Sequence, residues 1–315
     1  SEAVTMAVKK NGIVVVGSVF VDIKGFPHDR YIPDGRNAGY IEYRHGGVSR
    51  NVAEDIANIG LNPSFLGLVD HSALGQDVIE RLKRQHVNTE YMEAVPSGMG
   101  TWLAVFDNNG DVAGSISQRP DLMPILDILN QRGDEIFQEA DAILVEIDIE
   151  EEILKKIAEL CKKYRKKLYG VVSNMTIAAE RWNYLSSFDC FICNLLESGI
   201  LFGQDYSDKT PAQMCDIVER QIHKAEIPAL VVTMGEEGAV YADCEGHKGV
   251  CRAMKVDVKD TTGAGDSFCA GVASGLTYGK SLQDSVEIGT RLAASAIASY
   301  ENVCPEIDPE EFGLS

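Results

Sequence analysis

Short apolar runs alternate along the chain with longer segments whose apolar residues recur at helical spacing. Residues 13–20 form a nearly continuous run of β-branched side chains, which is typical of a strand buried on both faces. Residues 49–59 show helical spacing, and Gly60 is expected to end that helix. The other strand candidates are residues 65–69, 142–145, 168–172, 191–193 and 230–233. The other helix candidates are residues 73–84, 150–163, 178–185, 195–202 and 211–224. This alternation predicts an α/β fold with helical crossovers on both faces of a mainly parallel sheet.

Two stretches, residues 36–45 and 98–118, carry strand patterns without intervening helices. The second contains the sequence DNNG at residues 107–110, which predicts a hairpin turn between two β-rich arms. We expect these strands to form a small projecting sheet that acts as a lid over a cleft. The whole chain, residues 1–315, is interpreted as a single domain that includes this lid.

Composition narrows the range of partners. The chain has 48 acidic and 29 basic residues, a net charge of −19, which disfavours nucleic acid and anionic membrane surfaces as partners. No apolar run reaches the ~18–20 residues that a membrane span needs. The eight cysteines are scattered singly, which predicts a cytoplasmic protein with reduced, buried thiols. We interpret Cys190 and Cys193 as strand residues, because zinc would need a second pair or histidines at matching spacing.

The strongest chemical signal is the sequence DTTGAGDSF at residues 260–268, between a β-like segment at 254–258 and a helical segment at 268–276. Its glycines and alanine open a helix N-terminus, where unpaired amides favour an anion, and Asp266 falls in the first turn. One interpretation is a helix cap that contributes ~1 kcal/mol. The other is phosphoryl transfer, in which a carboxylate accepts an alcohol proton while amides bind the moving phosphoryl group.

This sequence resembles the second signature of the ribokinase-like (PfkB) carbohydrate and nucleoside kinases. The resemblance implies a ribokinase-like three-layer α/β/α fold with a mainly parallel central sheet and a small projecting β lid. It also implies that Asp266 is the catalytic base and that the amides of Gly263, Ala264 and Gly265 form an anion hole.

Two segments near the N-terminus resemble the acceptor side of the same family. The sequence GGVSRN at residues 46–51 is similar to the first signature, which implies that Gly46, Gly47 and Asn51 bind a sugar. Asp22 resembles the acid that binds two sugar hydroxyls. Without the resemblance, the first segment is a plain helix start and Asp22 a turn former.

Two further motifs resemble the donor side of the family. Asn194 and Glu197 form an N-x-x-E motif, which implies phosphate and Mg²⁺ binding, the metal held through water by Glu197. Thr233, Gly235 and Gly238 form a T-x-G-x-x-G turn that implies contact with nucleotide phosphates. ATP and Mg²⁺ are therefore the expected cofactors.

The sequence also departs from the family at one corner. The family usually carries an acidic or amide residue with proline at the end of the strand before N-x-x-E, and residues 170–171 are Gly and Val here. Either residues 173–174, Ser and Asn, replace the polar group, or this corner is not functional. Asp260 and Thr262 lie where relatives bind a monovalent cation, which implies K⁺ as a further cofactor.

The first signature and the sequence GSVFVDIKG at residues 17–25 are more similar to pseudouridine kinases than to ribokinases, fructokinases or phosphofructokinases. We predict ATP-dependent phosphorylation of a primary hydroxyl of a sugar or nucleoside, with pseudouridine first. Base-facing residues are expected in the lid, near Trp102 or residues 118–121. Two alternatives stay open: a kinase for a simple sugar such as fructose or ribose, and a non-catalytic nucleoside- or sugar-binding sensor. A projecting lid also predicts a homodimer formed through it.

Overall fold

The structure is a computed structural model, and it describes residues 9–259 and 261–314. Within these ranges the strands are β1 (Ile13–Val16), β2 (Phe20–Pro27), β3 (Gly39–Gly46), β4 (Ser64–Leu66), β5 (Leu68–Val69), β6 (Glu93–Ala94), β7 (Gly100–Phe106), β8 (Val112–Gln118), β9 (Ala142–Glu146), β10 (Leu168–Val171), β11 (Cys190–Asn194), β12 (Ala229–Thr233), β13 (Ala239–Asp243) and β14 (Lys248–Cys251). The helices are α1 (Val48–Asn58), α2 (Ala73–Arg84), α3 (Pro124–Gln138), α4 (Glu151–Tyr164), α5 (Met175–Ala179), α6 (Leu195–Phe202), α7 (Pro211–Ala225), α8 (Ala264–Thr277) and α9 (Leu282–Ile297).

The central sheet has eight strands in the order β14-β13-β12-β11-β10-β9-β1-β4. Every neighbouring pair from β12 to β4 is parallel, and β13 and β14 add two antiparallel strands at one edge. The predicted mainly parallel sheet is therefore confirmed. Because the parallel strands share one direction, the loops after β1, β9, β10, β11 and β12 meet at a single edge, which is where open α/β sheets bind ligands.

Helices cover both faces of this sheet. The side chains of β1 alternate between two apolar clusters: Val14 and Val16 contact the cluster that contains α3, α4, α6 and α7, and Ile13 and Val15 contact the cluster that contains α1, α2, α8 and α9. All four are fully buried, as their continuous apolar pattern predicts. The three-layer α/β/α prediction is confirmed. Within the described ranges, no helix combines the length and apolar character that crossing a membrane requires.

A second sheet, which we call the lid sheet, has four strands in the order β3-β2-β7-β8. The predicted strands of residues 36–45 and 98–118 are present, and the expected hairpin turns at Asp107 and Gly110, whose N–H donates to the Asp107 carbonyl at 3.2 Å. The lid strand β2 was not expected, because the apolar run at residues 13–20 was predicted as one strand and is divided between β1 and β2. The chain leaves the central sheet at Gly17, where an added Cβ would overlap the Ser49 hydroxyl of α1, and enters the lid sheet at Phe20.

Two other expectations are wrong in detail. Residues 254–258 form no strand, because β13 pairs with β14 at residues 248–251 and the chain then leaves the sheet. The helical stretch expected at residues 178–185 is divided: α5 begins earlier, at Met175, because the Asn174 side chain accepts hydrogen bonds from two of its N–H groups, and ends at Ala179, and a 3-10 helix follows at Trp182–Ser187. Cys190 and Cys193 are buried on β11, as interpreted from the sequence. Six of the eight cysteines are buried, while Cys244 is exposed and Cys251 partly so.

Candidate active site

The glycine turn before α1 brings the lid sheet against the helix. Gly47 has a φ of 92°, and a Cβ there would lie 2.7 Å from the Ser18 carbonyl oxygen, so a side chain would be strained. A Cβ on Gly46 would lie 3.2 Å from Oδ2 of Asp22, which lies on β2. Asn51 follows in the first turns of α1. The four residues predicted to bind the acceptor are therefore neighbours.

Asp266 joins this group from the other end of the chain. It lies in the first turn of α8, and its Oδ2 accepts a 2.8 Å hydrogen bond from Nδ2 of Asn51. Asp266 is half-buried, and loss of water around it raises its pKa to about 7. The Asn51 hydrogen bond and the Arg50 charge oppose this shift, and the Glu197 charge adds to it. A carboxyl group that titrates near neutral pH suits a general base.

The N-terminus of α8 is built on a left-handed glycine. Gly263 caps the helix with a φ of 81°, and a Cβ there would overlap the carbonyl oxygen of Asn302. The Ala264 N–H donates to the Thr261 carbonyl at a long 3.3 Å, and the other first-turn amides have no partner within the helix. This geometry leaves amides available for an anion, and the anion hole stays a prediction.

A cavity of about 920 Å³ opens beside this helix end. Five of the predicted donor-side and anion-hole residues line it: Thr233, Gly235, Gly238, Ala264 and Gly265. Its apolar wall comes from residues that the sequence analysis did not assign to the site: Met254, Val256, Val258, Ala293, Ala294 and Ile297. The size lies within the range of small-molecule sites. The available sequence signal was the alternation of apolar residues at positions 254, 256 and 258, which the pattern alone presents as a strand.

The N-x-x-E motif forms a capping box at the start of α6. Asn194 accepts a hydrogen bond from the Glu197 N–H, and Oε1 of Glu197 accepts one from the Asn194 N–H, at 2.7 and 2.8 Å. Asn194 is also the register partner of Thr233 on the neighbouring strand, so the two predicted donor-side motifs meet at the same sheet edge. Burial raises the pKa of Glu197, and the charge of Asp148 raises it further.

Two carboxyl groups at the end of β9, Glu146 as its last residue and Asp148 just beyond it, were missed from the sequence. Glu146 is fully enclosed and accepts hydrogen bonds from Ser18 and from the Ser49 hydroxyl at 2.6 Å. Burial and then the charge of Asp148 raise the Glu146 pKa to about 7. The sequence signal was an E-I-D run directly after the strand predicted at residues 142–145. Oxygen ligands from Asp148, Glu197 and the Asn194 side chain are of the type that Mg²⁺ takes. A cation bound there would relieve the repulsion between the Asp148 and Glu197 carboxylates.

The corner at residues 170–171 is part of the core. A Cβ on Gly170 would lie 2.6–2.7 Å from the rings of Phe188 and Phe191, so only glycine fits. The polar group near this strand end comes instead from the segment after β9, because Oδ1 of Asp148 accepts a 2.8 Å hydrogen bond from the Ser173 N–H. The Asn174 side chain caps α5.

The predicted monovalent cation site is only partly described. Asp260 lies outside the described residues, and Thr262 is exposed just before the α8 cap. The C-terminal loop that follows α9 lies against the α8 cap and also contacts β3 and α1: the Asn302 side chain donates to the His45 carbonyl at 2.7 Å, and the Cys304 N–H donates to Oδ1 of Asp55 at 2.7 Å. Binding of K⁺ here stays a prediction.

Comparison with known proteins finds relatives that match nearly the whole chain. The pfkB family of carbohydrate kinases matches residues 10–305. A guanosine-inosine kinase from Exiguobacterium acetylicum is 36% identical over 303 residues, covering 94% of this chain and 98% of that protein. A pseudouridine kinase from Escherichia coli K12 is 27% identical over 297 residues, covering 93% of each chain. The solved structure of Arabidopsis thaliana ribokinase with ribose and ATP matches with a TM-score of 0.80 at 21% identity, covering 96% of this chain and 97% of that one. The chain therefore belongs to the pfkB family of carbohydrate kinases, has the ribokinase-like fold, and is a phosphotransferase that acts on sugars or nucleosides.

Proposed function

We propose that this chain transfers the γ-phosphoryl group of ATP to the 5′-hydroxyl of a ribonucleoside, with guanosine or inosine as the first acceptor. The observation that carries the proposal is the hydrogen bond between Asn51 and Asp266. It joins the acceptor-side residues of the glycine turn to the helix end that borders the large cavity. A hydroxyl at this junction would lie between a carboxylate and the N-terminal amides of α8.

The reaction assigns a separate task to each group. The Asp266 carboxylate accepts the proton of the 5′-hydroxyl as its oxygen forms a bond to the γ-phosphorus, and the bond from that phosphorus to the ADP oxygen breaks. The amides of Gly263, Ala264 and Gly265 bind the oxygens of the transferring group. Bound Mg²⁺ would neutralise phosphate charge, held by Glu197 through water and by Asp148. The strongly acidic protein makes such local neutralisation necessary.

The lid sheet favours a nucleoside over a simple sugar. Trp102 is the register partner of Asp22, so both side chains point to the same face. On that face Phe26 stacks on Tyr40 and on Phe106, with ring centroids 5.0 and 4.9 Å apart. An aromatic surface beside the acid predicted to bind ribose hydroxyls is suited to a planar base.

Two relatives support different bases. The relative at 36% identity is named a guanosine-inosine kinase, which supports a purine nucleoside as the first candidate. Pseudouridine is the second candidate, supported by the first-signature resemblance and by the relative at 27% identity.

The experiment measures ADP release from ATP and Mg²⁺ with guanosine, inosine, pseudouridine, ribose and fructose as acceptors. Turnover is expected with nucleosides, and ³¹P NMR should identify a 5′-monophosphate product. Turnover with ribose or fructose alone would refute the nucleoside proposal. Binding without turnover for every acceptor would favour the sensor alternative.

The role of Asp266 has a matched control on the neighbouring helix. Asp284 occupies the same third position of the first turn of α9 and is exposed. We expect D266N to lower kcat by about 10²–10⁴-fold, the usual contribution of a general base, and D284N to leave it unchanged. Equal activity of D266N and the wild type would overturn the assignment of the base.

We also propose that the lid sheet mediates a homodimer. Tyr43, Ile23, Leu103 and Ile116 lie directly opposite one another across its four strands, on the face that does not carry Asp22. Tyr43, Leu103 and Ile116 are 58%, 43% and 68% exposed, and such apolar faces usually mark an interface. Light scattering should give a dimer mass for the wild type and for S117E, which alters the opposite face, and a monomer mass for I116E. A monomeric wild type would refute the dimer.

A further inference from the structure

Arg50 of α1 is an arginine whose side chain is completely buried. Its Nε donates to the Gly46 carbonyl at 3.0 Å, and one terminal nitrogen donates to the His45 carbonyl at 3.4 Å. Its guanidinium also donates to Oε2 of Glu54 and to Oδ1 of Asn51. Burying a charge is costly unless every donor is paired, so this network has to be formed for α1 to pack here.

The bond from Arg50 to Asn51 determines which way the Asn51 amide points. An asparagine side chain has an oxygen that accepts and a nitrogen that donates. Because Arg50 holds Oδ1, Nδ2 is the atom that faces Oδ2 of Asp266, at 2.8 Å. The reversed amide would place an NH₂ group against the guanidinium and an oxygen against the carboxylate. Arg50 therefore makes Asn51 a donor to the ionised form of Asp266.

The charged and titratable groups around Asp266 make this donor important. Glu197 of α6 disfavours ionisation of Asp266, and Arg50 favours it. Asp55 of α1 lies close enough to interact with Asp266, and burial holds its own pKa well above the usual range. Cys269, one turn along α8, is a buried thiol whose raised pKa keeps it uncharged. The arginine and its oriented amide are the groups that oppose desolvation.

Glu54 holds the Arg50 guanidinium on the side away from Asp266. Glu54 is 1% exposed, and its Oε1 accepts hydrogen bonds from Arg81 of α2 at 3.0 and 3.2 Å. The two arginines hold one carboxylate between them. Glu54 therefore anchors the guanidinium without touching the acceptor or the base.

We propose that Arg50 is a positioning residue, which locks the Asn51 amide so that it donates to Asp266 and keeps the base in its carboxylate form. The inference rests on the proposed role of Asp266 as base. It deepens that role by assigning the state of the base to a residue one helical turn from the glycine turn, with no contact to the reacting atoms.

The test compares pH profiles of kcat/KM between pH 5 and 9, with guanosine or with whichever acceptor of the panel is turned over fastest. R50M/E54M removes the buried pair together, so that no lone charge is left inside. We expect its acid limb to move to higher pH by about one unit, with activity recovering at alkaline pH. R50K keeps the charge without the fork of donors and should move the limb by less. R81M leaves the Arg50–Asn51 bond in place and should leave the limb unchanged.

The outcomes separate this inference from the proposed function. A uniform loss at all pH values in both R50M/E54M and R50K, with the wild-type acid limb, would overturn the role of Arg50 and leave Asp266 as base. A fully active D266N, or a wild-type profile with no acid limb, would overturn the base itself. Should R50M/E54M fail to fold in a thermal melt, R50K gives the same decision: a limb at the wild-type pH refutes the proposal.

Discussion

Gly263 offers a test in which a single methyl group separates stability from turnover. Its φ of 81° lies in the left-handed region, and an added Cβ would overlap the Asn302 carbonyl oxygen. Placing alanine in that region costs about 1–2 kcal/mol. Relieving the overlap requires a shift of backbone, which costs about 1–3 kcal/mol when a packed site is overfilled. G263A should therefore lower the free energy of unfolding by about 2–5 kcal/mol.

Gly265, two residues along, is the matched control. Apart from its chain neighbours and the backbone of its own helix, no heavy atom of the described residues lies within 4 Å of a Cβ placed there. Alanine in a helix is better than glycine by about 0.5–1 kcal/mol, so G265A should be as stable as the wild type or slightly more so. Gly265 lines the large cavity, however, and a methyl group there would enter the space proposed for phosphate. G265A should therefore reduce turnover without reducing stability.

Thermal melts and steady-state kinetics on both variants decide the matter. For a chain of 315 residues, each kcal/mol lowers the melting temperature by about 1.5 °C. G263A should melt about 3–8 °C below the wild type, and G265A at or just above it. A G263A variant that melts with the wild type would refute the argument from backbone geometry. A fully active G265A would refute the placement of phosphate at this helix end.

Three further outcomes are expected. The pKa of Asp266 is raised from 3.8 to about 7, so the folded state binds this proton more tightly than the unfolded state and loses stability as pH rises through that window. In thermal scans, the melting temperature of D266N should therefore exceed that of the wild type at pH 8 and equal it at pH 4. Equal melting temperatures for D266N and the wild type at both pH values would contradict the raised pKa. W102A should raise KM for the nucleoside several-fold and leave KM for ATP unchanged in steady-state assays, and equal changes in both would contradict the base-stacking role. E197Q should require about ten times more Mg²⁺ for half-maximal activity in a metal titration, because it removes a charged oxygen; an unchanged requirement would contradict the metal role.

Much of the sheet could be predicted because its strands are buried on both faces. The four residues of β1 are apolar and β-branched without interruption, a pattern typical of a strand buried on both faces. The break at Gly17 was invisible because Val19 and Phe20 continue the apolar run, although they already belong to the turn and the lid sheet. An apolar pattern reports burial but does not say against which sheet.

The candidate site divides in the same way. Local motifs identified the glycine turn and the α8 N-terminus, because glycines at such positions meet steric demands that are written in consecutive residues. The bond between Asn51 and Asp266 joins positions 215 residues apart, which no local pattern can predict. Arg50 was passed over inside the motif itself, because arginine is rarely buried completely and a sequence does not show where its charge is paired.

Asp22 and Trp102 belong to the lid sheet, which is tied to the body through short connections such as residues 17–19. A rotation of this sheet as a unit would carry the acceptor and the roof of the cleft together. The same movement would then bring the acceptor hydroxyl to the γ-phosphate and exclude water from around that phosphate. Without a bound acceptor, the lid sheet would stay open, and bound ATP would remain exposed to water in a site that is not arranged for transfer. Protection of ATP from hydrolysis without an acceptor would follow from the way the lid sheet is connected to the rest of the protein.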